Sequence, residues 1–169
     1  MPRTMNLPGN VVVSRRILTA EALEQNGFGP TFGLFQPENS IIESVYVRVV
    51  EAPVVATGAS LGFEMGTDAD IDNIINQSGD DDASDNLLDA ASDDPGTLPV
   101  GTIFEFKSGV SSDLGWAYTP GFATGDEATE SASNISSGDT EVKFRFRLSD
   151  HAVTTQGKFE VTVNFRVFE

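Results

Sequence analysis

The stretch EVKFRFRLSDHAVTTQGKFEVTVNFRV, residues 141–167, decides the fold class of this chain. Apolar and polar residues alternate along 141–148 and again along 158–168, and Gly157 lies between the two segments after a polar run. A period of two is typical of a β-strand that buries one face. We therefore predict two long strands separated by a turn, with the last residues of the given sequence inside a sheet.

Strand character is also found in Val11–Leu18, Ile41–Glu51, Gly58–Met65 and Thr102–Phe106. The longest of these segments, Ile41–Glu51, is apolar on both faces, with valines at 45, 47 and 49 on one side. Such a strand is predicted to lie in the centre of a sheet or at an interface between subunits. The candidate oligomer interface is its other side, with Ile42, Tyr46 and Val50.

Two short helices are predicted in an acidic insertion near residues 66–100. Ile71, Ile74 and Ile75 have helical spacing within 68–77, where Thr67 or Asp68 can cap the first turn. A second short helix is predicted around residues 86–91. A further helical turn is predicted over 20–25, because Asn26 and Gly27 can end it.

The composition favours one domain outside any membrane. With 169 residues, of which 39% are hydrophobic, the chain can bury one core. The sequence contains no cysteine, which excludes disulfides, thiolate nucleophiles and thiolate metal sites. It has no apolar run of about 18 residues, the length that predicts a membrane span. Residues 1–10 do not resemble a secretory signal.

The formal net charge of −16 disfavours a nucleic acid as partner, because such binding needs Lys and Arg to replace the counterions of the phosphates. No Lys or Arg occurs between residues 49 and 106. One pole of the molecule is therefore predicted to be strongly negative. Either the acidic region only keeps the protein soluble, or the polarised surface docks on a partner through its less acidic side.

The run PENSIIESVYVRVVEAPVVATGASLGFEMGTDADIDNII, residues 37–75, resembles a pattern of tailed-phage virion proteins. In that pattern a strand that begins at a proline is followed by a strand with the S-L-G motif, an Asp-rich turn and a short helix. The run TTQGKFEVTVNFRVF, residues 154–168, resembles their closing strand. Over about a third of its length the chain is thus similar to capsid decoration (cement) and head-fibre proteins of tailed bacteriophages.

The resemblance implies an all-β fold, with a single jelly-roll-like β-sandwich in residues 31–169 and an N-terminal arm and connection in residues 1–30. It also implies a virion structural protein, made in the host cytoplasm and located on the outer capsid surface, that binds the major capsid protein and stabilises the shell. A homotrimer is favoured because capsid lattices offer three-fold sites. A head-fibre base or a tail component is the alternative among virion proteins.

The N-terminal segment 1–18 suits an arm that follows a groove of the capsid. It is polar, contains proline, and has three valines that can add a strand to the sheet edge of a neighbour. An arm that packs back on its own domain is the alternative. The predicted capsid-binding residues are Arg3, Val11, Val12, Val13, Arg15 and Arg16.

A metal site is considered at Asp68, Asp70 and Asp72, which stand at alternate positions as at the start of a calcium loop. However, Asn73 stands where an EF-hand needs glycine, and Gly79 where it needs a bidentate Glu. These carboxylates are better explained as caps of the predicted helix. We expect no metal and no cofactor.

An enzyme is not predicted. The only histidine, His151, lies in a predicted turn, so a Ser-His-Asp triad would have to be built around a loop residue. No phosphate-binding glycine motif is present. The aromatic cluster of Trp116, Tyr118 and Phe122 either seals one end of the sandwich or forms the sugar platform of a calcium-dependent carbohydrate-binding module. That module is the alternative function from a different class.

Overall fold

The computed structural model describes residues 11–23, 27–67, 71, 74–76, 87–90, 95–107, 110–111, 117–118, 140–148 and 153–167. These residues form fifteen β-strands and no helix, which confirms the all-β class. In chain order the strands are β1 Val11–Leu18, β2 Gly27–Phe28, β3 Phe32–Phe35, β4 Ser40–Glu51, β5 Val54–Val55, β6 Ser60–Gly66, β7 Ile75–Asn76, β8 Leu88–Asp89, β9 Gly96–Thr97, β10 Ile103–Lys107, β11 Val110–Ser111, β12 Ala117–Tyr118, β13 Glu141–Leu148, β14 Val153–Thr155 and β15 Lys158–Val167.

The first sheet has four antiparallel strands in the order β1-β15-β4-β10. β15 lies inside this sheet and pairs with β1 along one side and with β4 along the other. The register places Val161 opposite Val47 and Val163 opposite Val45. All four valines are fully buried, so this face of the first sheet faces the core.

The second sheet is built around β13, which pairs with β6 on one edge and with β2 and β3 on the other. β6 pairs on its far edge with β7 and β8. Because β2 and β3 share one edge, and β7 and β8 share another, the second sheet is four strands wide. Its core face carries Phe144 and Phe146 of β13 and Phe63 of β6, none of which is exposed.

Aromatic rings join the two sheets. The ring of Phe146 in the second sheet stacks on that of Phe159 in the first, with 4.3 Å between centroids. The ring of Phe63 in the second sheet lies 5.6 Å from that of Phe106 in the first. All four side chains are buried. Since large buried rings contribute strongly to stability, the two sheets are held together by one apolar core.

Two smaller antiparallel sheets complete the described structure, one of β14, β5 and β9 and one of β11 and β12. The turn from β14 to β15 contains Gly157, whose φ is +67°. A Cβ at this position would lie 2.8 Å from the backbone nitrogen of Pro53. Only glycine meets both demands, the left-handed backbone and the close approach.

The strands predicted from alternation are confirmed. The segments 141–148 and 158–168 correspond to β13 and β15, and the four segments further upstream correspond to β1, β4, β6 and β10. However, β13 and β15 do not pair with each other, because β13 lies in the second sheet and β15 in the first. The pattern thus predicted the strands but not the sheet that each one joins.

The predicted helices are wrong in the residues that the structure describes. Ile75 lies in β7 and Leu88 in β8, and both strands pair with β6. Ile71 has a φ of 61°, outside the helical region, and residues 20–23 are not helical either. Ile71, Ile74 and Ile75 are buried, but only Ile75 belongs to a strand, so their spacing reflects burial and not a helix. Isoleucine also favours strands, because its branched Cβ is restricted in a helix.

In the described residues 11–23 and 27–30, the segment predicted as an arm and connection packs on its own domain. β1 pairs with β15 over its whole length, and β2 pairs with β13. Just after β1, the buried Thr19 donates its N–H to the carbonyl of Phe159 at 2.8 Å, and its Oγ1 accepts from the N–H of Phe159 at 3.0 Å. This pairing satisfies backbone groups of β15 that would otherwise lack partners. Residues 1–10 lie outside the described residues.

Candidate interaction surfaces

The structure describes only part of the predicted site residues. Val11, Val12, Val13, Arg15 and Arg16 lie in β1, and Ile42, Tyr46 and Val50 lie in β4. Arg3, Asp68, Asp70, Asp72, Trp116, Phe122 and His151 lie outside the described residues, whereas Tyr118 belongs to β12. The calcium and carbohydrate hypotheses therefore depend on residues that the structure does not describe.

The candidate oligomer interface on β4 loses one of its members. The register between β4 and β15 shifts by one residue between Ser44 and Ile42, which is a β-bulge. The bulge turns Ile42 to the core, where it is fully buried. Tyr46 and Val50 are half-buried. The strict alternation assumed from the sequence placed Ile42 with them because a bulge leaves no mark in that pattern.

Hydrogen bonds between side chains cross the outward face of the first sheet. Ser14 Oγ of β1 donates to Asn164 Oδ1 of β15 at 2.6 Å, and Asn164 Nδ2 donates to Ser44 Oγ of β4 at 3.0 Å. Further along, the Tyr46 hydroxyl donates to Glu105 Oε1 of β10 at 2.5 Å. Polar side chains thus connect all four strands of this face.

Ion pairs fill the rest of this outward face. Glu160 of β15 lies between Arg16 of β1 and Arg48 of β4, with N–O distances of 3.9 and 4.0 Å. Lys158 pairs with Glu51 at 3.1 Å, and Arg166 pairs with Glu43. Exposed pairs of this kind contribute little to stability. Together with Glu105, they give this face four acidic and four basic described side chains.

The same balance holds for all residues that the structure describes. The acidic ones are Glu21, Glu38, Glu43, Glu51, Glu64, Asp89, Glu105, Glu141 and Glu160, and the basic ones are Arg15, Arg16, Arg48, Lys107, Lys143, Arg145, Arg147, Lys158 and Arg166. These nine acids and nine bases cancel. The net charge of −16 is therefore carried by the other 17 acidic residues and one basic residue of the chain. The described part of the chain is neutral.

The outward face of the second sheet contains a buried ion pair that the sequence patterns did not reveal. Glu64 of β6 is 3% exposed and accepts from Nε of Arg145 of β13 at 2.7 Å. The guanidinium of Arg145 lies 3.6 Å above the ring of Phe28, and that of Arg147 lies 5.3 Å from it. The sequence contained one signal of this pair. Glu64 is the charged residue of a strand that is otherwise without charge, and a charge that becomes buried needs a partner of opposite sign.

Exposed apolar side chains are concentrated at one side of the two sheets. Those of Val11, Val12, Leu18, Phe28 and Phe35 are 41–61% exposed. They lie on β1, β2 and β3, and β1 contacts β3. Phe28 and Phe35 lie opposite Arg147 and Glu141, on the outward face of the second sheet. We refer to the three exposed apolar side chains of β1 as the β1-edge surface. The other large exposed apolar residues of the described part, Val100 and Ile103, lie near or on β10, at the opposite edge of the first sheet.

Neither a metal-binding cluster nor a membrane-spanning helix occurs in the described part of the chain. It holds no group of three or more His, Cys, Asp or Glu side chains placed to bind a metal ion. It also holds no helix with the length and apolar character needed to cross a membrane. Comparison of the chain with protein-family models, curated proteins and solved structures finds no match.

Proposed function

We propose that the two large sheets form a β-sandwich with jelly-roll topology. If β2 and β3 count as one interrupted strand, and β7 and β8 as another, the sheets contain eight strands. Numbered along the chain, these have the orders 1-8-3-6 and 2-7-4-5. An eight-stranded double sheet in which the chain alternates between the sheets supports a jelly roll. That fold is common in viral capsid and lectin domains, but fold analogy alone does not define a function.

On this framework we propose that the protein decorates the outer surface of a tailed-phage capsid. The stretches that resemble decoration proteins, 37–75 and 154–168, include β4, β6 and β15, which are central strands of the sheets. The resemblance therefore concerns the scaffold of the domain.

The observation that carries the proposal is the charge balance of the outward face of the first sheet. A chain with a net charge of −16 is repelled by acidic neighbours wherever its charge is concentrated. The outward face of the first sheet reduces this repulsion, because its acidic side chains are balanced by basic ones in ion pairs. Its neutral polar side chains bond to each other. It can therefore approach a protein shell with its polar groups already partnered.

The proposed mechanism uses binding energy alone. Each copy contacts neighbouring copies of the major capsid protein and opposes their separation under the pressure of packaged DNA. Many copies on one shell provide avidity without strong single contacts. A bond-making step is not part of this role.

Cosedimentation with capsids that lack this protein tests the proposal. The capsids are those of the phage that carries the gene, and the pelleted protein is quantified as its concentration rises. We expect saturable binding and a higher temperature of DNA release from the decorated capsids. Absence of binding, or binding without stabilisation, would contradict a decoration role.

Two matched variants locate the docking face. Arg48→Glu reverses a charge on the outward face of the first sheet, and Arg147→Glu makes the same change in the second sheet. We expect the first variant to weaken capsid binding and the second to leave it unchanged. Removal of residues 1–10 tests the remaining part of the predicted arm, and weaker binding by the folded truncated protein is expected.

A further inference from the structure

The outer edge of β1 has no strand paired with it in the described part of the chain. The N–H of Thr19 bonds to the carbonyl of Phe159 at 2.8 Å, so these residues form a hydrogen-bonded pair of the antiparallel ladder. Such pairs recur at every second residue, and the register with β15 is unbroken. The odd-numbered residues of β1 therefore bond to β15. The N–H and C=O groups that point away from the sheet belong to Val12, Ser14, Arg16 and Leu18.

This edge lacks most devices that keep edge strands from pairing. β1 has the sequence VVVSRRIL, without proline, glycine or lysine, and its register with β15 contains no bulge. Val11, Val12 and Leu18 are each more than half exposed. These three side chains form the β1-edge surface. Arg15 and Arg16 supply charge in the middle of the strand, but a regular edge with exposed apolar residues at both ends is still a template for another strand.

We propose that this edge pairs with β1 of a second copy of the chain. The two strands run antiparallel around a two-fold axis that passes between the two Ser14 residues. Such an interface uses the same patch on both copies and closes on itself. The first sheets of the two copies become one continuous sheet of eight strands. This pairing predicts a dimer, in place of the trimer expected from capsid lattices.

Backbone direction and charge select the register. Since the outward backbone groups belong to even-numbered residues, even residues must oppose even residues. A register centred on Arg15 sets two arginines directly opposite each other, which is unfavourable. One centred on Val13 pairs only residues 11–15 within β1. The register centred on Ser14 pairs residues 11–17 of both copies, with Arg16 opposite the partner's Val12.

The first test measures the molar mass of the full chain by light scattering over a concentration series. We expect a species of twice the chain mass of 18.0 kDa. Ser14→Pro removes an N–H that bonds only to the partner, and proline is tolerated on a free edge. It should raise the dimer dissociation constant about tenfold or more. The control Ser14→Ala loses the hydroxyl bond to Asn164 but keeps the N–H, so it should stay dimeric.

Charge variants test the register. Val12→Lys sets a lysine opposite the partner's Arg16 and should dissociate the dimer. Val12→Glu, at the same position, sets a carboxylate there and should preserve it. The double variant Val12→Lys with Arg16→Glu restores opposite charges and should restore the dimer. Circular dichroism and the melting temperature show whether Ser14→Pro folds. If it does not, the variants at Val12 and Arg16, which change only exposed side chains, still test the interface.

Amide exchange gives an independent readout at single residues. In the dimer, the N–H groups of Val12, Ser14 and Arg16 should be protected. In Val12→Lys they should exchange rapidly, while those of Val13 and Ile17, bonded to β15, stay protected. Three results would overturn the proposal: a monomer at every concentration, an oligomer that Ser14→Pro and Val12→Lys leave intact, or a monomer in which the even-numbered amides are protected. No capsid is used, so the outcome is separate from that of the proposed function.

Discussion

Replacement of Phe146 by alanine tests whether the aromatic core joins the two sheets. Phe146 is fully buried, and its ring lies 4.3 Å from Phe159 of the other sheet and 5.3 Å from Phe63 of its own. The substitution removes the ring contact between the sheets and leaves a cavity in the core. Both effects lower the free energy of unfolding.

The expected loss is about 4 kcal/mol, in the middle of the range for buried Phe→Ala changes. Domains of this size lose roughly 2–4 °C of melting temperature per kcal/mol, so the melting temperature should fall by about 8–16 °C. Urea unfolding followed by far-ultraviolet circular dichroism gives the free energy, and the slope with urea shows whether the transition stays two-state. A loss of this size is a large fraction of the stability of an ordinary domain.

A double-mutant cycle separates the ring pair from the cavity. Phe159→Ala and the double variant should give a coupling energy of about 1 kcal/mol or more, because stacked rings interact beyond their burial. The matched control is Phe35→Ala, a change at a residue 61% exposed, measured in dilute protein. It should alter stability by less than about 0.5 kcal/mol. If Phe146→Ala cost no more than this control, the sheets would not share the core that we describe.

Three further variants test local features in the same unfolding assay. Thr19→Val removes the oxygen that accepts a buried backbone N–H and should cost about 2 kcal/mol, whereas Thr19→Ser should cost much less; equal losses would contradict this role. Gly157→Ala should cost about 2 kcal/mol, more than Gly101→Ala, because both have positive φ but only Gly157 approaches another backbone. Glu64→Ala removes the buried carboxylate that pairs with Arg145, whose side chain is 18% exposed, and should cost about 3 kcal/mol; a neutral result would show that the pair does not stabilise the second sheet.

Much of the fold was predictable because alternation reports burial directly. A strand with one face in the core must place apolar residues at every second position, and β13 and β15 do so almost without exception. The pattern fails where the period is interrupted. The bulge beside Ile42 turns that side chain to the core. The isoleucines at 71, 74 and 75 have helical spacing and are all buried, although only Ile75 lies in a strand.

The candidate surfaces were less predictable, since each depends on which strands become neighbours. Arg15 and Arg16 were predicted to bind a capsid from a free arm, but the tertiary structure places them on an edge strand that is paired with β15. Glu64 belongs to no sequence motif, so its ion pair was not predicted. The pairing of β6 with β13 places it opposite Arg145. The neutrality of the described part of the chain becomes visible only when its charged residues are counted apart from the others.

By itself, the sequence determined the all-β class, the positions of the long strands and the identity of most core residues. The tertiary structure alone decided that β13 and β15 lie in different sheets, that β1 forms an edge, and that Ile42 turns inward. The physical reason is that backbone hydrogen bonds are the same for every residue. Alternation therefore shows which face of a strand is buried, while the choice of partner strand depends on packing between residues far apart in the chain.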